Sequence, residues 1–154
     1  MRVAKRMAAF AAAATMLAGS PAAAQDEITT AVQLRKLDMM LMVTALRCRF
    51  GADNFSADYE AFKVQHQETL RLAATVVLDD LARQLGRKGA IAAFDRMSTG
   101  FANTYGMGNP RFGCADLKLA TTELSLASGQ ASLVAAADTL LAAGPAGEAL
   151  IASR

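Results

Sequence analysis

The 154-residue chain has few of the residue types that build common metal and cofactor sites. It contains no tryptophan, three prolines, two cysteines and a single histidine, His66. One histidine excludes the His-rich zinc sites, and the absence of a C-x-x-C-H motif excludes covalent haem attachment. The chain also lacks a proline-rich linker, an internal repeat and a block of like charge. We therefore expect a single folded domain without a cofactor.

The first 24 residues differ in composition from the rest of the chain. Arg2, Lys5 and Arg6 precede an Ala-rich apolar run over residues 7–19, and three alanines follow at positions 22–24. A basic start, a short apolar run and a small-residue cleavage site are typical of a secretory signal peptide. The run is shorter than the roughly 20 residues that a membrane-spanning helix needs. We predict a signal peptide at residues 1–24, a mature domain at 25–154 and a periplasmic location.

The net charge depends on the signal peptide. The whole chain has 16 Lys and Arg against 14 Asp and Glu, a formal charge of +2. Residues 1–24 hold three of the basic residues and none of the acidic ones, so the mature chain keeps 13 against 14 and carries −1. Nucleic-acid binding rests on clustered Lys and Arg, so we expect no nucleic-acid partner. No later segment is long and apolar enough to predict a stable membrane span.

The chain has two cysteines, Cys48 and Cys114. In a protein exported to an oxidising compartment, a pair of this kind most often forms a disulfide. The alternatives are a free reactive thiol or a thiolate metal site, and neither has a C-x-x-C motif or a second histidine to support it. The sequence predicts one structural disulfide.

The spacing of apolar residues predicts an all-α fold. They recur every three or four positions through most of the mature chain, and no segment alternates with a period of two. The first predicted helix is apolar nearly all round at its middle, which is typical of a central helix. Gly100, within the third, suggests a close approach by another helix. Short turns favour an antiparallel bundle of four to five helices with one disulfide, the helices lying at residues 27–49, 56–85, 90–105, 115–127 and 132–142.

The local motifs for catalysis and cofactor binding are incomplete. Gly106 and Gly108 begin a G-x-G pattern, but Arg111 occupies the third glycine position of a dinucleotide fingerprint, and a helix precedes it instead of a strand. His66 lies on the apolar stripe of the second helix; it is either a core histidine with a hydrogen-bond partner or a titrating group suited to general-base chemistry. The methionines in residues 39–42 either pack in the core or form a soft copper site. We assign no catalytic residue and no metal ligand.

Polar and irregular features converge at one place in the sequence. Two arginines flank Cys48, and a disulfide to Cys114 brings them close to the glycine-rich loop at residues 106–113. The alternative is that the asparagines of this region satisfy the loop backbone and the arginines are merely solvated. The predicted binding surface consists of Arg47, Arg49, Asn103, Tyr105, Asn109 and Arg111.

Three parts of the chain carry a family resemblance. Residues 37–49 with 51–55, residues 103–106 and residues 113–118 resemble a family of small exported bacterial proteins, and the resemblance extends over most of the mature chain. Members of this family often carry the label S-adenosyl-L-homocysteine hydrolase. The resemblance thus implies an exported helical protein and, through that label, a hydrolase. The family has no established activity, so the resemblance assigns no functional residue.

These observations predict a non-enzymatic helical protein that binds a periplasmic macromolecule or a small ligand through the tethered loop. Two alternatives stay open. One is a small hydrolase that uses His66 together with a carboxylate or Tyr105, which requires His66 to lie in an open cleft. The other is an envelope-stress chaperone, similar to the small periplasmic acid chaperones in being helical with one disulfide.

Overall fold

The computed structural model of the chain describes residues 21–142. Within this range the chain forms helices and no strand, and the cysteines are joined, which confirms the predicted all-α bundle with one disulfide. Residues 1–20, which hold most of the predicted signal peptide, and residues 143–154 lie outside the described part. The helices are α1 (Pro21–Cys48), α2 (Ser56–Gln65), α3 (Gln67–Tyr105), α4 (Cys114–Leu126) and α5 (Gln130–Leu140).

Helix α1 lies at the centre of the bundle, as its apolar middle predicts, and contacts each of the other four helices. It begins at Pro21, six residues before the predicted start. A proline is tolerated in a first helical turn because the N–H that it lacks has no intrahelical acceptor there, and the alanines that follow are strong helix formers. The three alanines of the predicted cleavage site therefore lie in the first turns of α1. The buried stripe contains Ala31, Leu34, Leu37, Met40, Leu41, Thr44, Ala45 and Cys48.

The prediction of one helix over residues 56–85 is wrong, because the chain breaks at His66. The backbone there has φ −109° and ψ 14°, and α3 starts at the next residue. The His66 N–H still donates to the carbonyl of Phe62 (3.0 Å), and the His66 carbonyl accepts from Leu70 (2.9 Å). The apolar stripe of the two helices consequently stays on one side across the break, with His66 buried between Phe62 and Leu70.

Helix α3 contains the second break, at Gly86. Its φ of 69° and ψ of 165° lie in a region of backbone conformation that residues other than glycine rarely adopt. The predicted turn at residues 86–89 is therefore a break at one residue, after which the helix resumes. The expectation that Gly100 marks a close helix approach is wrong, because a Cβ added there would have no neighbour within 4 Å.

Hydrogen bonds between helices fix their relative directions. Near the start of α2, the Asp58 carboxylate accepts from the Thr122 hydroxyl (3.1 Å). Near its end, the Gln65 amide donates to the carbonyl of Ala127 (2.9 Å), just after α4. Helices α2 and α4 therefore run side by side in the same direction.

One end of the bundle is tied together by the crosslink, and we call it the disulfide end. Cys48 is the last residue of α1 and Cys114 the first of α4. The amide of Asn109, in the loop before α4, donates to the carbonyl of Leu140 at the end of α5 (3.0 Å). The disulfide end thus gathers the C-terminal ends of α1 and α5, the start of α4 and loop 106–113.

A buried polar group joins three helices away from this end. Arg35 Nη1 donates to Asp38 Oδ2 (2.9 Å), and the Tyr59 hydroxyl donates to Asp38 Oδ1 (2.9 Å). The Arg35 guanidinium lies 5.3 Å from the ring centre of Phe94 in α3. Burial, followed by the charge and hydrogen bond of Asp38, raises the pKa of Tyr59 well above its usual range. Both carboxylate oxygens of Asp38 therefore have partners, whereas Arg35 Nε is buried without a hydrogen-bond partner among residues 21–142.

Candidate functional site

The disulfide places two distant segments side by side. Cys48 and Cys114 are 66 residues apart in sequence, and their Cα atoms are 5.9 Å apart. Cys48 is 4% exposed and belongs to the core, so one end of the disulfide is fixed in packed structure. As a result, the backbone that leaves α1 and the loop that enters α4 form one continuous surface.

Asn109 organises the backbone of loop 106–113. Its side-chain oxygen accepts the N–H of Arg111 (2.9 Å) and the N–H of Phe112 (3.2 Å). Its amide nitrogen donates to Leu140, as described above. Gly108, with φ 110°, donates to the Tyr105 carbonyl (2.8 Å) and gives the loop its tight start. All the hydrogen bonds found for the Asn109 side chain thus serve the fold of the loop.

Tyr105 lies in the core, and Asn103 lies near the end of α3, just before the loop. Tyr105 is 5% exposed, burial raises the pKa of its phenol, and the ammonium of Lys36 lies 5.9 Å from its ring centre. Asn103 is exposed on α3, and its side chain forms no hydrogen bond with any residue in 21–142. One of the six predicted surface residues, Tyr105, therefore lies in the core, and Asn103 is exposed on α3.

The three predicted arginines are exposed at the disulfide end. Arg47, in the last turn of α1, lies beside Gly108, where an added Cβ would be 3.5 Å from Arg47 Nε. The Arg49 guanidinium lies 4.4 Å from the ring centre of Phe50. Arg111 donates to the carbonyl of Ala142 (3.3 Å). Among the described residues, no carboxylate lies within ion-pair distance of any of the three.

Three apolar side chains at this end are exposed, and the sequence did not predict their exposure. Phe50 is 87% exposed, Met107 is 82% exposed and Leu46 is 52% exposed. Leu46 continues the apolar pattern of α1 and is therefore expected inside. The signal that could have revealed Phe50 and Met107 is their place in the polar, glycine-containing segments just after α1 and α3. We call the combined set the disulfide-end surface: Leu46, Arg47, Arg49, Phe50, Met107 and Arg111.

A cleft of about 230 Å³ opens beside the crosslink. Its walls include Arg47 and Met107 from the disulfide-end surface, together with both cysteines. The cleft therefore lies between the end of α1 and the tethered loop. The cleft offers a positive charge and apolar wall atoms. Its lining contains no carboxylate or imidazole that could act as a base, and its one side-chain hydroxyl belongs to the buried Thr44.

His66 lies away from solvent and from this cleft. It is 2% exposed, and its Nε2 is 2.8 Å from the carbonyl oxygen of Leu124. Because a carbonyl only accepts, Nε2 carries the proton and donates. The ring also packs against Phe62, with 5.3 Å between the ring centres. The imidazole is thus a core group that links the α2–α3 break to α4, and it has no open position from which to meet a substrate.

Other features that could carry chemistry are sparse. Within residues 21–142, no group of three His, Cys, Asp or Glu side chains is arranged to hold a metal ion. Met40 is fully buried in the core. A groove of about 370 Å³ between α4 and α5 is lined chiefly by small apolar side chains, with Glu123 as its one acidic residue. The groove also contains the hydroxyls of Ser132 and Thr139, and these donate to the backbone carbonyls of Gly129 (2.8 Å) and Ala135 (3.0 Å).

Comparison with known proteins adds no identity. The chain matches no protein-family model, no curated protein and no solved structure. None of the helices that the structure describes has the length and hydropathy of a membrane-spanning segment.

Proposed function

We propose that the protein is exported to the periplasm, where it binds a partner through the disulfide-end surface and carries out no enzymatic reaction. Export is supported by the basic and apolar pattern of residues 1–24 and by a disulfide, which persists in oxidising compartments. The partner is a macromolecule or a small ligand outside the cytoplasm.

The observation that carries this proposal is the composition of the disulfide-end surface. Arg47, Arg49 and Arg111, which form no ion pair with a carboxylate of residues 21–142, are exposed at the same end as Phe50 and Met107. Single exposed apolar residues are ordinary, but Arg, Met and aromatic residues together are the types enriched where proteins bind partners. The crosslink holds the two backbone segments that carry these side chains next to each other, which lowers the ordering cost of binding.

A hydrolase based on His66 receives no support from the geometry. Its imidazole is sealed in the core, and Tyr105, the other residue invoked for that chemistry, is buried as a neutral phenol. An envelope-stress chaperone is the second candidate, because Phe50 and Met107 expose apolar surface to unfolded clients. Suppression of client aggregation at low pH by the protein, and its loss when both residues are changed to Ser, would favour that candidate.

Affinity capture from a periplasmic extract tests the proposed binding. The test variant carries Arg47→Gln, Arg49→Gln and Arg111→Gln, and it should lose the partners that the unchanged protein retains. A charge-matched control carries Arg83→Gln, Arg87→Gln and Arg96→Gln, three exposed arginines of α3, and should keep them. Equal capture by both variants would show that the disulfide-end surface is not the binding site.

A further inference from the structure

The apolar side chains of the disulfide-end surface project outward. Phe50 and Met107 retain 87% and 82% of their full exposure, although Arg49 lies over the Phe50 ring and Met107 borders the cleft. Both lie in connecting segments, Phe50 two residues after α1 and Met107 two residues after α3. A partner that binds through projecting apolar groups has to close around them. A protein partner would require matching pockets, whereas the interface of a lipid bilayer accommodates projecting groups of any shape.

Charge is distributed unevenly between this end and the rest of the domain. Residues 46–54 and 106–118 contain four basic residues and two acidic ones, Asp53 and Asp116. The Asp116 carboxylate is hydrogen-bonded within the fold, because its Oδ2 accepts the N–H of Gly113 (2.9 Å). The remaining described residues of the mature chain, 25–45, 55–105 and 119–142, contain eight basic and eleven acidic residues. A negatively charged surface would therefore attract the disulfide end and repel the body.

We propose that the disulfide-end surface docks peripherally on an anionic phospholipid bilayer, an inference that rests on the proposed binding role of this surface. Phe50 and Met107 enter the boundary between headgroups and acyl chains, and the Arg47, Arg49 and Arg111 guanidinium groups contact lipid phosphates. Arginine suits this position because its planar fork donates two hydrogen bonds to one phosphate. The disulfide keeps the two inserting segments side by side.

Vesicle sedimentation tests the docking. The full chain is produced by export into the periplasm of a bacterial host, purified with its disulfide intact, and its N-terminus is determined by mass spectrometry. It is then mixed with vesicles of phosphatidylglycerol and phosphatidylethanolamine, or with phosphatidylcholine vesicles. We expect binding to the anionic vesicles, weakening as salt is raised, and little binding to phosphatidylcholine. Equal binding to both vesicle types, or to neither, would overturn the proposal.

Two variants separate the apolar contribution from the charged one. The variant Arg47→Gln, Arg49→Gln and Arg111→Gln should weaken binding to anionic vesicles about a hundredfold, because each arginine near the surface contributes a factor of about five. The pair Phe50→Ser and Met107→Ser should weaken it at least about tenfold, because neither side chain then leaves water. The matched control is Val64→Ser with Leu126→Ser, at the C-terminal ends of α2 and α4, where the side chains are 75% and 81% exposed. An equal loss in that control would contradict docking by the disulfide end.

The outcomes also separate the lipid inference from the proposed function. If the vesicles do not bind, but the arginine variant loses partners from the periplasmic extract, the surface binds something other than lipid and only the lipid inference fails. If neither vesicle binding nor capture depends on the three arginines, both proposals fail. Thermal unfolding of every variant is followed by circular dichroism, so that loss of binding is attributed only to folded proteins.

Discussion

Both tyrosines of the chain are buried, and this makes alkaline pH a direct probe of the fold. Tyr59 and Tyr105 are 6% and 5% exposed. Burial, then the charge and hydrogen bond of Asp38, raises the pKa of Tyr59; burial alone raises the pKa of Tyr105. A tyrosine in an unfolded chain ionises near pH 10. We predict that phenolate absorbance of the folded protein appears at higher pH than that of the unfolded chain, and that unfolding brings the absorbance on.

The sign of the effect follows from proton linkage. Because the pKa of Tyr59 is higher in the folded state, its contribution to stability is complete below about pH 10 and is lost as the pH rises towards the folded-state pKa. At about pH 11 the unfolded chain has released this proton and the folded chain has not, so the free energy of unfolding falls by about 1.4 kcal/mol through Tyr59. The raised pKa of Tyr105 adds a loss in the same direction.

Tyr59→Phe provides the control. It removes a hydrogen bond to a charged group, so the free energy of unfolding at neutral pH should fall by about 1.5–3 kcal/mol. The variant has no phenol at this position, so its stability should decline less between about pH 9 and pH 11 than that of the unchanged protein, by about 1.4 kcal/mol. Urea unfolding across this range, with phenolate absorbance measured in parallel, checks both values. A tyrosine that ionises near pH 10 while the helical circular dichroism is unchanged would refute the reasoning.

The other predictions concern the crosslink, the core histidine and a helix glycine. Replacing Cys48 and Cys114 by Ala should lower the free energy of unfolding by about 4 kcal/mol, because the loop of 66 residues is no longer closed in the unfolded chain; a urea-measured loss below about 1 kcal/mol would contradict that origin. His66→Ala should cost about 2–4 kcal/mol through lost packing and the lost bond to Leu124, and His66→Gln, which keeps a donor, should cost less; equal costs would show that the hydrogen bond contributes nothing. Gly100→Ala should raise the free energy of unfolding by about 0.5–1 kcal/mol, since it restores helix propensity in open space; a lower melting temperature would indicate a close neighbour.

The parts of the fold that local spacing determines are the parts that could be predicted. Apolar residues three and four apart identify the buried face of α1, and α4 and α5 begin and end within two residues of their predicted limits. The break at His66 could not be predicted, because the stripe of buried residues continues across it and neither glycine nor proline marks it. At the break the His66 ring bonds to Leu124, 58 residues away, and local patterns do not contain such a contact.

The candidate site also has one part that the sequence predicted and another that it did not. The predicted disulfide is confirmed, and it brings the segment after α1 to loop 106–113. Chemical type alone did not distinguish Asn109, whose side chain holds the loop, from Arg111, whose charge is exposed. Phe50 and Met107 were missed because an apolar residue is expected to be buried. Both lie just after the end of a helix, where that expectation is weaker. The binding role of these residues stays a prediction.

The crosslink between Cys48 and Cys114 also makes the middle of the chain a closed ring. A protease that cuts one peptide bond between residues 49 and 113 opens the ring but separates nothing, because the two pieces remain joined through the sulfur atoms. Such a nicked molecule gains only the mass of one water and divides into two fragments solely after reduction. In a compartment with proteases and without reductants, the exposed turn between α1 and α2, and the loop that bears Met107, could each be cut while the molecule stays whole.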